Sequence, residues 1–377
     1  MQVLKASQER LLAALLRVVG IVERRHTLPI LANVLMRKRG TAIELTTSDL
    51  DLQISTSSDL GGEAADLAIT VDARKLVDIL RAMPPDQIVT LTQKAQRLTL
   101  QGGRSRFTLL TLPATDFPLV QRAADFSAPF AVPQTTLKAL IEQVEFAMAT
   151  HDIRYFLNGV LFVAEGHTLT LVATDGNRLA MARANVDQEL PRVEVILPRK
   201  AVHELQQQLR DSNARDHAET GDASVNIHLA AAQARFEMNG IEFIARLIEG
   251  RFPDYKRVIP AGNEKVVTLG RAPFLAGLQR AALLTSDKFR GVRVRVDAGA
   301  LRIASSNAAQ EEATEDLDID YAGDGIEIGF NVTYVVDVLS KTNADMVSMA
   351  LQDAQSSALF TFPDRPDFKY VVSPMRL

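Results

Sequence analysis

Apolar residues along the chain follow two periods, and the order of those periods occurs three times. The first round opens with an alternating stretch, Met1 to Lys5, which predicts a strand. Ser7 then stands where a helix cap belongs, ahead of Leu11, Leu12, Leu15, Leu16, Val18 and Val19 at helical spacing. LPILANVLMRKRG and the run from Ala42 to Leu45 read as strands, and TTSDLDLQISTS as a strand after a turn. Asp72 caps a short helix, ARKLVDILRAM, which Pro84-Pro85 stops. Alternating runs IVTLTQ, RLTLQG and RFTLLTL follow, and DFPLV closes the round.

The second round repeats the order from about Ala128. Its helix TLKALIEQVEFAM opens at Pro133-Gln134-Thr135-Thr136. YFLNGVLF takes the place of LPILANVL, ATDGNRLAMA that of TSDLDLQIS, RKAVHELQQQL that of RKLVDIL, and RFPDYKRVIP that of DFPLV. Within this round, Leu157–Val163 and Thr168–Ala173 read as two strands with a turn at Glu165-Gly166-His167, and Thr174–Asn177 as a second turn. The third round, from about Glu264, runs KVVTLG, APFLAGLQRAALL, FRGVRVRV, SSNAAQEEATEDLDI, VTYVVDVLSK, MVSMALQ, SALFTF and KYVVSPMRL. A repeat this long forms a domain rather than a solenoid turn. The pattern predicts an α+β fold of three tandem similar domains, residues 1–126, 127–263 and 264–377, each of antiparallel sheets with two helices. Linkers are expected near Asp125–Pro129 and Ala261–Glu264, and the polar run Asp211–Ala223 reads as a surface loop.

Composition narrows the classes. The 377 residues are 47% hydrophobic and 23% charged, the balance of an ordinary globular protein. Without a single Cys, the chain has no disulfide framework, no thiolate metal site and no Cys nucleophile. No apolar run reaches membrane-span length and the N-terminus lacks a signal-peptide pattern, so a cytoplasmic protein without membrane contact is expected. The six His are at 26, 151, 167, 203, 217 and 228, with no pair at metal-ligand spacing. There is no P-loop lysine motif and no dinucleotide-binding glycine pattern. The doublet His151-Asp152 alone is too little for a metal-dependent hydrolase. No enzyme activity, catalytic residue, metal or cofactor is expected.

The net charge is -4, yet the predicted helices are relatively basic. This pattern admits two readings: a positive surface for a phosphate backbone, or ordinary solvated helix faces. A second asymmetry separates the ends. Arg97, Arg104 and Arg106 accompany Phe107 and Leu109 in the first repeat, and Glu311, Glu312 and Glu315 stand near Leu283 and Leu284 in sequence order of the third. Two unlike edges suit a head-to-tail contact, which closes into a ring when the rotation permits; two unrelated solvated faces fit the charges equally.

THDIRYFLNG, ATDGNRLA, PRKAV, GRFPDYKRVIP, KFRGVRV, the QEEA run, IGFNVTYVVDVL and the terminal VSPMRL together give the chain a resemblance, end to end, to the bacterial DNA polymerase III beta subunits, the sliding clamps. That resemblance implies a head-to-tail homodimer forming a six-domain ring around duplex DNA (primed template), without sequence-specific reading. It implies DNA contacts at Arg25, Arg74, His151, Tyr155 and Phe156, with Arg154 and Lys200 nearby. It also implies a partner-peptide pocket between the second and third repeats. It would comprise Arg154, Leu157, Thr174, Gly176, Asn177, Arg178, Leu179, Pro253, Arg257, Val258 and Ser357. The tail would add Val371, Ser373, Pro374, Met375 and Arg376. Leu179, Val258, Val371 and Met375 would supply an adaptable apolar cleft, and Arg154, Arg178, Arg257 and Arg376 would hold polar or acidic groups of a linear motif. His151 and Phe156 stand where Gln and Tyr are common in the family, Asn177 and Ser373 where His and Met are. The seam between subunits would set Phe107, Leu109, Leu283 and Leu284 together, with Lys75, Arg97, Arg104 and Arg106 facing Glu311, Glu312 and Glu315. Implied partners are the polymerase III alpha subunit, the clamp-loader delta subunit and loader complex, translesion polymerases, mismatch-repair proteins and DNA ligase.

Overall fold

A computed structural model describes residues 2–23, 28–60, 66–209, 223–286 and 290–376. Arg25, nearly all of the run Asp211–Ala223, and Lys288 and Phe289 of the KFRGVRV motif lie outside the described residues. Among those described, six helices have nine residues or more: α1 (Gln8–Leu16), α2 (Ala73–Arg81), α3 (Gln134–Val144), α4 (Arg199–Gln208), α5 (Arg271–Ala282) and α6 (Val332–Lys341). They are the two per repeat that the periodicity predicts. Both predicted caps are present. Ser7 Oγ accepts from the Arg10 amide at 3.4 Å and Asp72 Oδ1 from the Lys75 amide at 2.9 Å, each cap worth about 1 kcal/mol.

The chain forms two compact units, residues 1–135 with 203–247, and residues 136–202 with 248–377. In the first, twelve strands make one sheet, and the pair that joins the repeats is antiparallel: Leu52–Asp59 of the first against Ile241–Arg246 of the second. Leu11, Leu15, Leu76 and Leu80 of α1 and α2 are fully buried, and Gln8 Nε2 donates to the Leu80 carbonyl at 2.5 Å. In the second unit, a six-stranded sheet runs from Gly159–Thr174 to Lys265–Gly270, and a four-stranded sheet from Glu312–Asp318 to Ile326–Asn331. Here Arg178–Pro198 of the second repeat pairs with Arg365–Val372 of the third. Repeat boundaries are therefore not sheet boundaries: the strands of the middle repeat belong to two different sheets. An edge strand left open at the end of a repeat gains a ladder of backbone hydrogen bonds by pairing with the next repeat.

Three local expectations are corrected. Glu165-Gly166-His167 is no hairpin turn. Gly159–Thr174 is one strand, with register shifts on either side of Gly166, whose φ is +58°. A glycine that accepts positive φ lets the strand bulge and continue. The strand expected across LPILANVL begins only at Asn33, after a short 3-10 turn at Pro29–Ala32, and the one expected from Leu157 begins at Gly159 after a similar turn at Tyr155–Leu157. At Gly159 the packing leaves no room for a side chain, since a Cβ would lie 2.3 Å from the Leu197 carbonyl oxygen.

Candidate functional site

The expected pocket residues all lie in the second unit, and the turn Thr174–Arg178 holds several of them. Asp175 Oδ1 accepts from the amides of Asn177 and Arg178 at 2.9 and 3.1 Å. Thr174 Oγ1 accepts from the Gly176 amide and donates to the Arg178 carbonyl. Gly176 has φ +92°, and a Cβ there would stand 3.0 Å from the Arg154 guanidinium. Glycine takes this left-handed backbone without strain and leaves the Arg154 guanidinium room to approach. Arg154 is itself fixed: its Nε and Nη2 donate to the two Asp152 oxygens at 3.0 and 2.9 Å. Hydrogen bonds from the Arg154 side chain and amide hold the Asp152 carboxyl down at about 2. Asn158 completes the loop, accepting from the Asp152 amide and donating to the Asp152 carbonyl.

Below this turn, Leu179 and Val371 face each other across the antiparallel pair. Both are buried, with Leu161, Val163, Val172, Met181, Ile196 and Phe252, and Phe156, Tyr255, Ile259 and Leu359 pack around them. Leu179 and Val371 thus form the floor, while Val258 on the short helix Tyr255–Val258 is exposed. Pro253 and Arg257 are exposed, and Arg257 pairs with Asp254 at 3.1 Å. Ser357 follows a bend, and its carbonyl accepts from Asn263 Nδ2 at 2.9 Å. The tail is not merely the end of a strand. The strand stops at Val372, then the Ser373 amide donates to the Asn177 carbonyl and the Met375 amide to the Gly329 carbonyl, each at 2.8 Å. Pro374 and Met375 are half-buried and Arg376 is exposed.

Arg178 differs from the other expected pocket arginines in that its charge is matched by two carboxylates within the chain. Its guanidinium pairs with Asp175 and Asp337, at 3.1 and 2.5 Å, and donates to the Phe146 carbonyl at 2.7 Å. Burial by itself would favour loss of its proton. The oxygens of Tyr370, Asp337 and Asp175 outweigh that and hold the group above its ordinary value.

Of the expected DNA-contacting residues, His151, Arg154, Tyr155 and Phe156 share the one loop. His151 adopts φ +56°, and the Tyr155 and Phe156 rings meet edge to face at 6.0 Å. They differ in exposure: Tyr155 is 57% exposed, whereas Phe156 packs on the apolar floor. Lys200 is half-buried near the start of α4. Arg74 is on α2 in the other unit, and its guanidinium donates to the Val22 carbonyl. Sequence reasoning missed Ile153, which is 95% exposed at the loop tip. A single apolar residue between Asp152 and Arg154 has no period to reveal it.

Several of the expected seam residues lie on or beside two sheet-edge strands, Ser105–Pro113 and Glu312–Asp318. Among the described residues, those of Ser105–Pro113 up to Leu110 pair only with Arg97–Gly102, and the second side is covered only at Thr111–Pro113. Arg97, Arg104, Arg106 and Phe107 are exposed there and Leu109 is half-buried. Leu110, which the sequence reading passed over, is 71% exposed. Glu312–Asp318 is the edge of the four-stranded sheet, with Glu311 and Glu312 exposed beside it. At the end of α5, Leu283 is 80% exposed and Leu284 half-buried. Glu315 is not a free acidic group, since Arg280 donates to both its oxygens at 2.8 and 2.5 Å. Lys75 pairs with Asp72 at 3.2 Å. A polar cleft of about 600 Å³ opens in the first unit between Ser55, Arg122, Glu237 and Glu242, and it contains none of the expected residues.

Family models place this geometry. DNA polymerase III beta subunit N-terminal, central and C-terminal domains match residues 3–121, 131–254 and 256–376. The chain belongs to the DNA polymerase III beta subunit family. It is 42% identical to the beta sliding clamp of Pseudomonas aeruginosa over 373 residues, and 40% identical to that of Escherichia coli over 370, covering 98% of each chain in both cases. A crystal structure of the P. aeruginosa DNA polymerase sliding clamp superposes with a TM-score of 0.93 at 40% identity, over 100% of both chains. The three-domain clamp fold is thus that of this chain. Among the described residues, no group of three or more His, Asp or Glu is placed to hold a metal ion, and no helix is long and apolar enough to cross a membrane.

Proposed function

We infer that the chain is a processivity factor, an accessory subunit of DNA polymerase III without a catalytic site of its own. Two copies join head to tail into a ring that encircles duplex DNA and holds polymerases to it. The observation that carries this reading is similarity to beta sliding clamps along the whole chain, and it is supported by the approach of Arg154 and the Ser373 tail to the Thr174–Arg178 turn. The open edge with Phe107 and Leu110 meets the edge beside Leu283 and Glu312 of a second copy. Buried apolar area dominates this seam; exposed ion pairs add well under about 1 kcal/mol each and set orientation. Bounds of 1–126, 127–263 and 264–377 describe the three domains. His151, Arg154, Tyr155 and the helix cations Arg74 and Lys200, with Arg25, touch phosphates or stack on bases. The pocket takes short motifs from the polymerase III alpha subunit, the loader's delta subunit, translesion polymerases, mismatch-repair proteins and ligase, in the cytoplasm.

The test is loader-dependent retention on primed circular DNA, after light scattering has given the solution mass. A two-chain particle that stays on circles and slides off once they are linearised supports the ring. Equal retention on both, or none on either, leaves an adaptor that uses the pocket without encircling DNA. Deleting Pro374–Leu377 abolishes binding of the polymerase tail and leaves the dimer intact; retained peptide affinity removes those residues from the pocket.

A further inference from the structure

Arg178 is about 10% exposed, and a buried cation is costly unless its partners are well placed. Those partners come from both sides of a repeat junction. Asp175 and the Phe146 carbonyl belong to the second repeat. Asp337 and Tyr334 are on α6 in the third, and the guanidinium carbon lies 4.6 Å from the Tyr334 ring centroid. The Tyr370 hydroxyl donates to the Tyr334 carbonyl at 2.8 Å, tying the same stretch of α6 to the strand that pairs with Arg178.

The first repeat supplies an internal control. Its turn Ser48–Leu52 has three corresponding hydrogen bonds: Asp49 Oδ1 accepts from the Asp51 and Leu52 amides at 3.0 and 2.7 Å, and Ser48 Oγ from the Leu50 amide at 3.2 Å. The Arg246 amide donates to the Asp51 carbonyl at 2.8 Å, as that of Ser373 does to Asn177. The strand pairing that follows also corresponds, Leu52 with Ala245 standing where Arg178 pairs with Val372. Leu50 even adopts φ +83° where Gly176 has +92°. At the position of Arg178 stands Leu52, which is buried and carries no charge. The turn and the strand junction therefore form without a cation. What distinguishes the second junction is that it carries the expected pocket, with Gly176 and the tail from Ser373 hung on the turn.

We propose that Arg178 and Asp337 are positioning residues of the peptide pocket: their ion pair holds the Asp175–Asn177 turn, and through it Gly176 and the tail from Ser373, against α6. Peptide affinity is then set partly by a contact that acts through the turn rather than on the peptide. This inference rests on the pocket reading above.

The test uses the full-length dimer and a fluorescein-labelled peptide of the polymerase III alpha subunit's C-terminal residues, read by fluorescence polarisation. Asp337→Asn removes only the charge of a partly exposed side chain, so the fold is retained. Tyr334→Leu, which removes the ring under the guanidinium, is the second variant. Each is expected to weaken peptide binding five- to twenty-fold through faster dissociation, with the dimer mass unchanged. Arg178→Lys combined with Asp337→Asn is expected to be no worse than the more severe single change. Amide exchange at Gly176 and Asn177 is expected to rise in Asp337→Asn, while that at Leu50 and Asp51 stays as in the parent. A merely structural role would predict additive losses and no selective exchange at the turn. If the parent binds the peptide and Asp337→Asn binds it equally well, this inference is overturned and the pocket reading stands. If the parent chain does not bind the peptide, both fall together.

Discussion

Leu283 offers the sharpest quantitative test of the ring. It caps the C-terminal end of α5 and leaves 80% of its surface in water. Leu283→Ala therefore removes almost nothing from the folded monomer. Ala is at least as good a helix former, and an exposed substitution costs within about 0.5 kcal/mol. If the side chain enters the seam between two copies, the change is of another size. Three carbons are lost from a buried position, at about 0.8 kcal/mol each, so roughly 2 kcal/mol per seam. A ring of two chains has two seams, and a loss of roughly 4–5 kcal/mol raises the dimer dissociation constant on the order of a thousandfold. Leu283→Lys with Leu284→Lys goes further and yields monomers, because two ammonium groups would be stripped of water. Sedimentation velocity across a dilution series reads the dissociation constant, and a thermal melt on the same samples reads the fold. An unchanged dissociation constant for Leu283→Ala refutes the reasoning, because a leucine so exposed contributes to nothing but an interface. A large fall in melting temperature at concentrations where the chain is monomeric refutes it from the other side.

Gly159→Ala is expected to destabilise the second unit by roughly 1–3 kcal/mol in urea unfolding, since its Cβ would meet the backbone oxygen of Leu197 and neither strand can yield cheaply; a midpoint equal to the parent's contradicts the packing. Asp152 titrates at about 2 rather than the ordinary 3.8, so its support for the Asp152–Asn158 loop is complete above about pH 4 and is lost only as pH falls through 2. A carboxyl-carbon NMR titration with its midpoint near 4 would show that the Arg154 pair does not persist in solution. Tyr155→Ala is expected to weaken retention of primed DNA more than Phe156→Leu does, because Tyr155 is the exposed ring of the pair and Phe156 packs on the floor; the reverse order would reassign the contact.

The family was legible in the sequence because its signals are local. Helical spacing in α1 and α2, the caps Ser7 and Asp72, and the Asp-Gly turn at 175–176 depend on neighbours a few residues away. The triple order of elements gave the repeat, and the pocket and edge residues came from motifs that stand in the chain as written. The bulge at Gly166 was misread as a turn, because a glycine after a polar residue announces positive φ in both cases, and only the partner strand determines whether the chain reverses.

Long-range partners were decided by the tertiary structure alone. The sequence determined that three like units exist and which strands alternate. It did not determine that strands of one repeat would complete the sheet of the next, since alternation fixes a strand's two faces and leaves its edge partner open. Nor did it determine the fate of charge. Arg178 and Glu315 read as groups free for a partner, yet each is matched inside the chain, by Asp337 across 159 residues and by Arg280 across 35. Charge is written in the sequence, but whether a charge is available depends on what folding brings within hydrogen-bond reach, and that is set by packing between segments distant in the chain.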